Sequence, residues 1–419
     1  MNDETGRPEP RYHPEPVAGP RAASSSSSGA DQRPAADYTA ADVTGMLQDR
    51  MQQAYTELGR FNLAVFGRTG AGKSTLINAI FGAEVAATGI GAPVTTGLSY
   101  HLHPSGYLGL YDSEGFETGQ AGDAIVAALQ HAVRSRRALP MSEQIHAVWY
   151  VVRSSDLRFE RSQGDFVRSL AELGLPVILV LAQVPSRDGQ VHPAVAELAA
   201  HIESLRLPIR PDGRVIATNA VADSFHGTPA FGLSALLDAT YAVVPEVVEQ
   251  ALTAAQVLDL GRKRAAARTV INKAVAVAAG IGATPIPFAD AALLIPAQTL
   301  MIARITAAYG LPPRQARAAA IAGAAALTTG ATMAGKSLVT GILKLIPGAG
   351  TVTGSTISAT VAGTLTKAVG WAWAQVCEHV LALPAEERAR FLTGPGARDL
   401  FVSVLRSRGR DAATGLGRN

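Results

Sequence analysis

The residues with the clearest capacity for chemistry are Gly67-Arg68-Thr69-Gly70-Ala71-Gly72-Lys73-Ser74, which fit the spacing GxxxxGK[ST]. Glycines at these places let successive backbone N–H groups turn inward around an anion with no Cβ in the way. Gly67, Thr69, Gly70, Ala71 and Gly72 would then surround the α- and β-phosphates of a nucleotide. Lys73 would reach the β/γ oxygens, and Ser74, followed by Thr75, would bring a hydroxyl to Mg²⁺. An apolar run, Phe61–Phe66, leads in as a strand, and STLINAIFG leads out as a helix whose positive end lies under the anion. Context is what makes the match. The same spacing recurs at Gly330-Ala331-Thr332-Met333-Ala334-Gly335-Lys336-Ser337, behind an Ala-rich stretch with no strand to aim it. That second match reads as a small-residue helix packing closely on a neighbour, and Lys336 is not expected to be a nucleotide ligand.

Two further stretches complete a triphosphate site. Asp112-Ser113-Glu114-Gly115 closes another strand-like run and fits a DxxG element. In such an element Asp112 holds Mg²⁺ through water and the Gly115 N–H meets the γ-phosphate. Between this element and the glycine loop, Gly91–Gly97 offers Thr95 or Thr96 to ligate Mg²⁺ and sense the γ-phosphate; Thr95 is preferred, and a plain polar loop is the alternative. The residues expected at the reacting phosphate are thus Lys73, Thr95 and Gly115, and those at the metal Ser74, Thr95 and Asp112. Arg68 reads as a solvated or structural arginine in preference to a catalytic one.

These residues need a scaffold that delivers them to one edge. From Phe61 to about Pro245, strand-like runs alternate with helical stretches: Phe61–Phe66, Leu98–Leu102, Leu108–Tyr111, Ile145–Val152, Pro176–Ala182 and Val215–Thr218. The run PVILVLAQ is continuously apolar, as a parallel strand buried on both faces should be. A short turn with Gly106 joins the second and third runs, while helices separate the others. The pattern predicts an α/β fold with a mostly parallel sheet and one antiparallel edge.

The order of these elements resembles the Era-like branch of translation-factor-type bacterial GTPases over Phe61 to about Pro245. The resemblance implies a Ras-like P-loop domain (61–248), binding of GTP or GDP with Mg²⁺, and switching on hydrolysis. It also places base recognition at Ala182-Gln183-Val184-Pro185, where relatives carry N/TKxD, and at Thr218-Asn219-Ala220, whose backbone N–H groups would meet the base oxygen. Gln183 can lie along the base, but Pro185 has no carboxylate; Asp188 is the nearest substitute. GTP is preferred, with a P-loop ATPase of relaxed base choice as the alternative. Phe116 follows Gly115 where many relatives have a water-positioning glutamine. Turnover on the order of 10⁻⁴–10⁻² s⁻¹ is therefore expected unless a partner or self-association supplies the missing group; the alternative is a nucleotide-sensing scaffold with little or no hydrolysis.

After Pro245 the strand signal disappears. Residues 246–380 are rich in Ala and Gly, and Lys273 to Cys377 hold few ionised groups: Asp290, Arg304, Arg314, Arg317, Lys336, Lys344 and Lys367. Gly232–Leu237, Thr240 and Val244-Pro245-Glu246, then Pro285–Asp290 and Leu345–Gly350, resemble a GTPase closing helix followed by a YcjF-like hydrophobic domain. That resemblance implies an all-α domain (249–383) associated with the cytoplasmic face of the cell membrane, with no chemistry of its own. The uncharged stretches 274–289, 318–335 and 345–366 are marginal as spans, which need ~20 mainly apolar residues. Gly350, Gly354, Ser358 and Ala362 form a small-residue ridge that serves membrane helix pairs and tight soluble bundles alike. Arg262, Lys263, Arg264, Arg268 and Lys273 precede the first stretch, either as an anionic-membrane contact or as a solvated helix face.

Charge separates the two halves. Residues 1–245 carry 19 basic and 25 acidic side chains, and 246–419 carry 18 and 9. The total of +3 is no nucleic-acid signature, and no nucleic-acid partner is expected. A single cysteine, Cys377, excludes a disulfide framework and reads as a buried small hydrophobe. His101 and His103 share a strand face without a third ligand, so structural roles are expected. The proline- and serine-rich segment 1–40 reads as a disordered tail, and it lacks a basic stretch before an apolar one, which points to a chain kept on the cytosolic side. Residues 41–60, with Val43, Leu47, Met51, Ala54 and Leu58 at helical spacing, read as a lead-in helix packing on the domain that follows. Residues 384–419 read as a polar, basic, partly ordered tail.

Overall fold

The computed structural model describes residues 40–82, 90–95, 98–103, 105–112, 120–224, 227–282, 290–311, 315 and 359–416. The expected N-terminal tail up to residue 39 and the second glycine-rich match at 330–337 lie outside the described residues.

The first strand, β1 (Phe61–Phe66), is buried along its whole length. Its alternate side chains serve two apolar layers: Phe61, Leu63 and Val65 face one, Ala64 and Phe66 the other. It is the central strand of a seven-stranded sheet. On one side lie β4 (Leu108–Asp112), β3 (Leu98–Leu102) and β2 (Ile90–Thr95); on the other lie β5 (Ala147–Arg153), β6 (Val177–Ala182) and β9 (Ile216–Ala217). Parallel pairing joins β4, β1, β5, β6 and β9, while β3 is antiparallel to both β4 and β2. Two short strands, β7 (Ser186–Arg187) and β8 (Gln190–Val191), form a separate hairpin. One face of the sheet is covered by α2 (Lys73–Phe81), α6 (Leu233–Val243) and α7 (Glu246–Ala255). The other is covered by α3 (Gln120–Arg136), α4 (Arg161–Glu172) and α5 (Pro193–Ser204).

The strands expected from apolar runs appear within two residues of their predicted ends. No strand is expected from the sequence in the stretch 91–97, for which a plain polar loop is the alternative reading; through Thr95 it is the edge strand β2. Gly91 and Pro93 conceal its alternation, and proline is tolerated there because an edge strand need not donate on both sides.

The second unit is a helical bundle built from α8 (Leu260–Gly282), α9 (Asp290–Tyr309), α10 (Ala359–Ala382), α11 (Ala385–Thr393) and α12 (Pro395–Leu416). Three sequence expectations are corrected here. The N-terminal helix α1 (Ala40–Leu58) packs mainly on the bundle and only its last turn on the domain that follows it: Val43, Leu47, Met51 and Ala54 share one core with Ile302, Ile305, Trp373 and Val380, while Leu58 joins the sheet's core beside Phe61. Residues 384–416 are not a loose tail, because Leu392, Phe401 and Leu405 are buried in that same core. The boundary expected at 248/249 cuts α7, whose Val248, Ala251 and Leu252 lie in the sheet's core. Apolar side chains spaced along one face bury ~1.5–3 kcal/mol each, which outweighs the polar residues that dominate the outer face of α11 and α12. Trp373 is fully buried and donates its Nε1–H to Thr306 Oγ1 at 2.9 Å. Cys377 is buried, as expected. No helix among the described residues is long and apolar enough to cross a membrane.

The two units meet at the C-terminal ends of α7 and α9. Gly310, with φ +70°, passes so close to α7 that a Cβ there would overlap the Ala254 carbonyl. Beside it lies Lys263, fully buried, its Nζ donating to the carbonyls of Thr253 (2.8 Å), Ala254 (2.9 Å) and Tyr309 (3.0 Å). These carbonyls have no partner further along their own helices, and a cation at a helix C-terminus is favoured by the dipole. Burial pushes the pKa of Lys263 down from the ordinary 10.5 to about 7.

That shift predicts a pH dependence. Between pH 7 and 10.5 the unfolded chain holds a proton that the folded one releases, so stability climbs as pH rises through this window and is lowest below it. Denaturant melts of the full chain and of Lys263→Met should differ by up to about 1 kcal/mol per pH unit across it. Parallel curves would refute the assignment.

Candidate functional site

The chain leaves β1 at Phe66 and turns beneath β5. A Cβ on Gly67 would overlap the backbone carbonyl of Val151, and Gly70 and Gly72 take left-handed φ values of 78° and 97°. The turn closes with the Ala71 N–H donating to Arg68 O at 3.1 Å. Helix α2 starts at once, with Gly72 at the cap position and no side-chain capping bond. Its first N–H groups therefore point outward from a positive helix end, with Ser74 and Thr75 exposed in the first turn and Thr69 exposed on the loop. Lys73 Nζ lies over the loop, donating to Gly67 O at 2.8 Å and Arg68 O at 3.3 Å. A glycine cradle, an uncapped helix and an ammonium converge here, an arrangement that fits a polyphosphate.

Sheet register places the metal candidates on the same edge. Asp112 is partly buried at the end of β4, beside Val65 of β1 and opposite Ser99 of β3, whose Oγ donates to the Asp112 carbonyl at 3.3 Å. Thr95 ends β2 opposite Leu98, so its backbone reaches the same end of the sheet. Gly115, Thr96 and Phe116 lie outside the described residues. Arg68 pairs with Glu160 at 3.8 Å on the surface, a structural use that matches the preferred reading. His101 bonds Ser99 (2.9 Å) and His103 bonds Ser105 (2.7 Å); no cluster able to hold a metal through His, Cys, Asp and Glu is found among the described residues.

The base-recognition side departs further from expectation. Gln183 turns with φ 56° and donates its Nε2–H to Gly70 O at 2.9 Å, so its amide braces the phosphate loop instead of lying free beside it. Ser154, one residue past β5, fixes Gln183 in turn by donating to its carbonyl at 2.8 Å. Ser154 belongs to no motif; its place beyond the carboxyl end of a parallel strand is the signal that marks it. Asp188 is exposed with φ 51° at the tip of the β7–β8 hairpin, a turn position that asparagine and aspartate fill readily. Two of the three backbone N–H groups expected to meet the base are engaged within the fold: Thr218 donates to Leu181 O (2.7 Å) and Asn219 to Phe231 O (3.0 Å). Ala220 is the member of the trio for which no backbone acceptor is found among the described residues.

Sheet order, glycine turn and uncapped helix define a P-loop nucleotide-binding domain followed by a helical one. More particularly, residues 62–183 match the family model of the 50S ribosome-binding GTPases, and residues 248–391 match a domain of unknown function, DUF697. The chain thus carries a GTPase-family domain, for which binding of a guanine nucleotide is implied, and then a DUF697 domain. No curated protein matches it. Among solved structures, the Era GTPase of Aquifex aeolicus bound to GDP and aluminium fluoride is similar over 52% of this chain and 68% of its own, with 18% identity and a TM-score of 0.29. A small COPII coat GTPase of Encephalitozoon cuniculi with GDP is similar over 51% and 90%, at 17% and 0.26. A bacterial selenocysteine-specific elongation factor is similar over 44% of this chain, at 17% and 0.27, and this chain spans 28% of its length.

Because Gly67 is pressed against β5 backbone, Gly67→Ala should reduce the free energy of unfolding by ~2–4 kcal/mol. Thermal melts of the purified variant measure this; a Tm within a degree of the parent would contradict the packing.

Proposed function

We propose that the chain is a Mg²⁺-dependent GTP switch of low intrinsic turnover whose nucleotide state is read out by its helical domain. The convergence of the Gly67–Gly72 cradle, the uncapped start of α2 and Lys73 is the observation that carries this reading. In it, Gly67, Thr69, Gly70, Ala71, Gly72 and Lys73 hold the phosphates. Ser74, Thr95 and Asp112 hold Mg²⁺, and Gly115 senses the γ-phosphate. When bound, Mg²⁺ neutralises charge on the β- and γ-phosphates. Lys73 adds a second positive charge on the same oxygens, while Gln183 keeps the loop from collapsing. Phe116 offers no group to orient water, so turnover rises only with an activating partner or self-association.

A second reading, a P-loop ATPase with relaxed base choice, is favoured by the engaged N–H groups of Thr218 and Asn219 and by Pro185. Titration calorimetry with Mg²⁺ and GTP, repeated with ATP, separates the two. Lys73→Ala is expected to weaken GTP binding by roughly 100-fold or more. Selectivity of GTP over ATP below about 100-fold would favour the relaxed reading, and equal affinity of wild type and Lys73→Ala would end the proposal.

For location, residence at the cytoplasmic face of the cell membrane is proposed in peripheral form. Of the five basic residues considered for lipid contact, Lys263 is buried, Arg262 pairs with Asp238 and Asp259, and Arg264 with Glu378. Exposed Arg268 and Lys273 remain. Co-sedimentation with vesicles containing anionic lipid should pellet the wild type and release Arg268→Glu/Lys273→Glu. Wild type left in the supernatant would remove the membrane from the reading.

A further inference from the structure

Three successive carbonyls at the end of α9 are captured by side chains from three different elements. Tyr309 O accepts from Lys263 of α8 at 3.0 Å, Gly310 O from the hydroxyl of Tyr107, and Leu311 O from the hydroxyl of Tyr55 in α1. Lys263 and Tyr55 belong to the bundle, whereas Tyr107 belongs to the sheet. It lies in the turn joining β3 to β4, is buried, and passes its own carbonyl to the Phe61 N–H at 2.9 Å. Its ring stacks on Tyr55, with centroids 6.2 Å apart and planes 12° from parallel.

The position of that hairpin gives the contact its meaning. One end of β4 carries Asp112; the other, roughly 15 Å away at strand rise, carries Tyr107. The opposite strand, β3, follows directly on the segment that ends β2 at Thr95. Both strands of the hairpin are therefore covalently continuous with residues assigned to the metal and γ-phosphate, and its closed end is bonded to the helical domain. A paired hairpin is stiff along its length, so a displacement at the open end is delivered to the closed end.

We propose that the β3–β4 hairpin is the mechanical link between the phosphate site and the helical domain, latched by Tyr107 onto the Gly310 carbonyl. This rests on the switch reading above. Tyr107→Phe deletes the latching hydroxyl and keeps the stacked ring; Tyr55→Phe deletes the neighbouring tie, which is internal to the bundle. Hydrogen exchange of the full chain with Mg²⁺ and either GDP or a non-hydrolysable GTP analogue reads the coupling at amides 305–311. In the wild type their exchange should differ between nucleotides by roughly fivefold or more. The difference should vanish in Tyr107→Phe with nucleotide affinity unchanged, and persist in Tyr55→Phe. Nucleotide binding without any difference at 305–311, or a difference that survives Tyr107→Phe, overturns the link. If no nucleotide binds, the switch reading falls by itself, and thermal unfolding then judges the latch. One cooperative transition in the wild type that splits into two in Tyr107→Phe upholds it, and an unsplit transition in the variant rejects it.

Discussion

Bringing a lysine side chain fully out of water costs several kcal/mol even after the protein relaxes around it. Lys263 is tolerable because three carbonyls from two helix ends point at its nitrogen, each charge-assisted bond returning ~1.5–3 kcal/mol. That return is available only when the ends of α7 and α9 are side by side. Since α7 belongs to the sheet's core and α9 to the bundle's, the need to satisfy one nitrogen fixes how the two units sit against each other. Gly310 permits the approach, and the carbonyl it exposes is the one Tyr107 takes.

The phosphate site obeys a similar logic on the other edge of the sheet. Strand β1 runs straight into a turn so tight that the Val151 carbonyl occupies the space a side chain would need at Gly67. The turn leaves α2 uncapped, and unpaired N–H groups at a helix start are where an anion is held most cheaply. Gln183 and Ser154 connect this loop to the ends of β5 and β6, so the cradle is held by side chains as well as by its own backbone. The same bracing commits the Gln183 amide to the loop.

The helical domain follows a plainer physics. Its core is assembled from α1 and from α8 to α12, segments separated by more than two hundred residues of sheet domain. Two of the basic residues at the start of α8 are paired at the surface: Arg262 lies over the ring of Tyr241 at 3.9 Å and Arg264 makes a two-pronged bond to Glu378. A cluster that looks like one surface patch when written in a line is, once folded, divided: Lys263 is buried, Arg262 and Arg264 are paired, and Arg268 and Lys273 stay exposed.

The tight glycine turn, the strand end at Asp112 and the parallel strands were legible in the residues because their geometry is local. A glycine spacing is itself a backbone shape, and an uninterrupted apolar run is itself a statement about two covered faces. Strand β2 was hidden by Gly91 and Pro93, whose local preferences are overridden by pairing with β3. The partner of α1, the docking of α11 and α12, the burial of Lys263 and the reach of Tyr107 to Gly310 were decided by tertiary structure alone. Each depends on which surfaces meet across long stretches of chain, and an amphipathic pattern records that a face will be covered without recording by what.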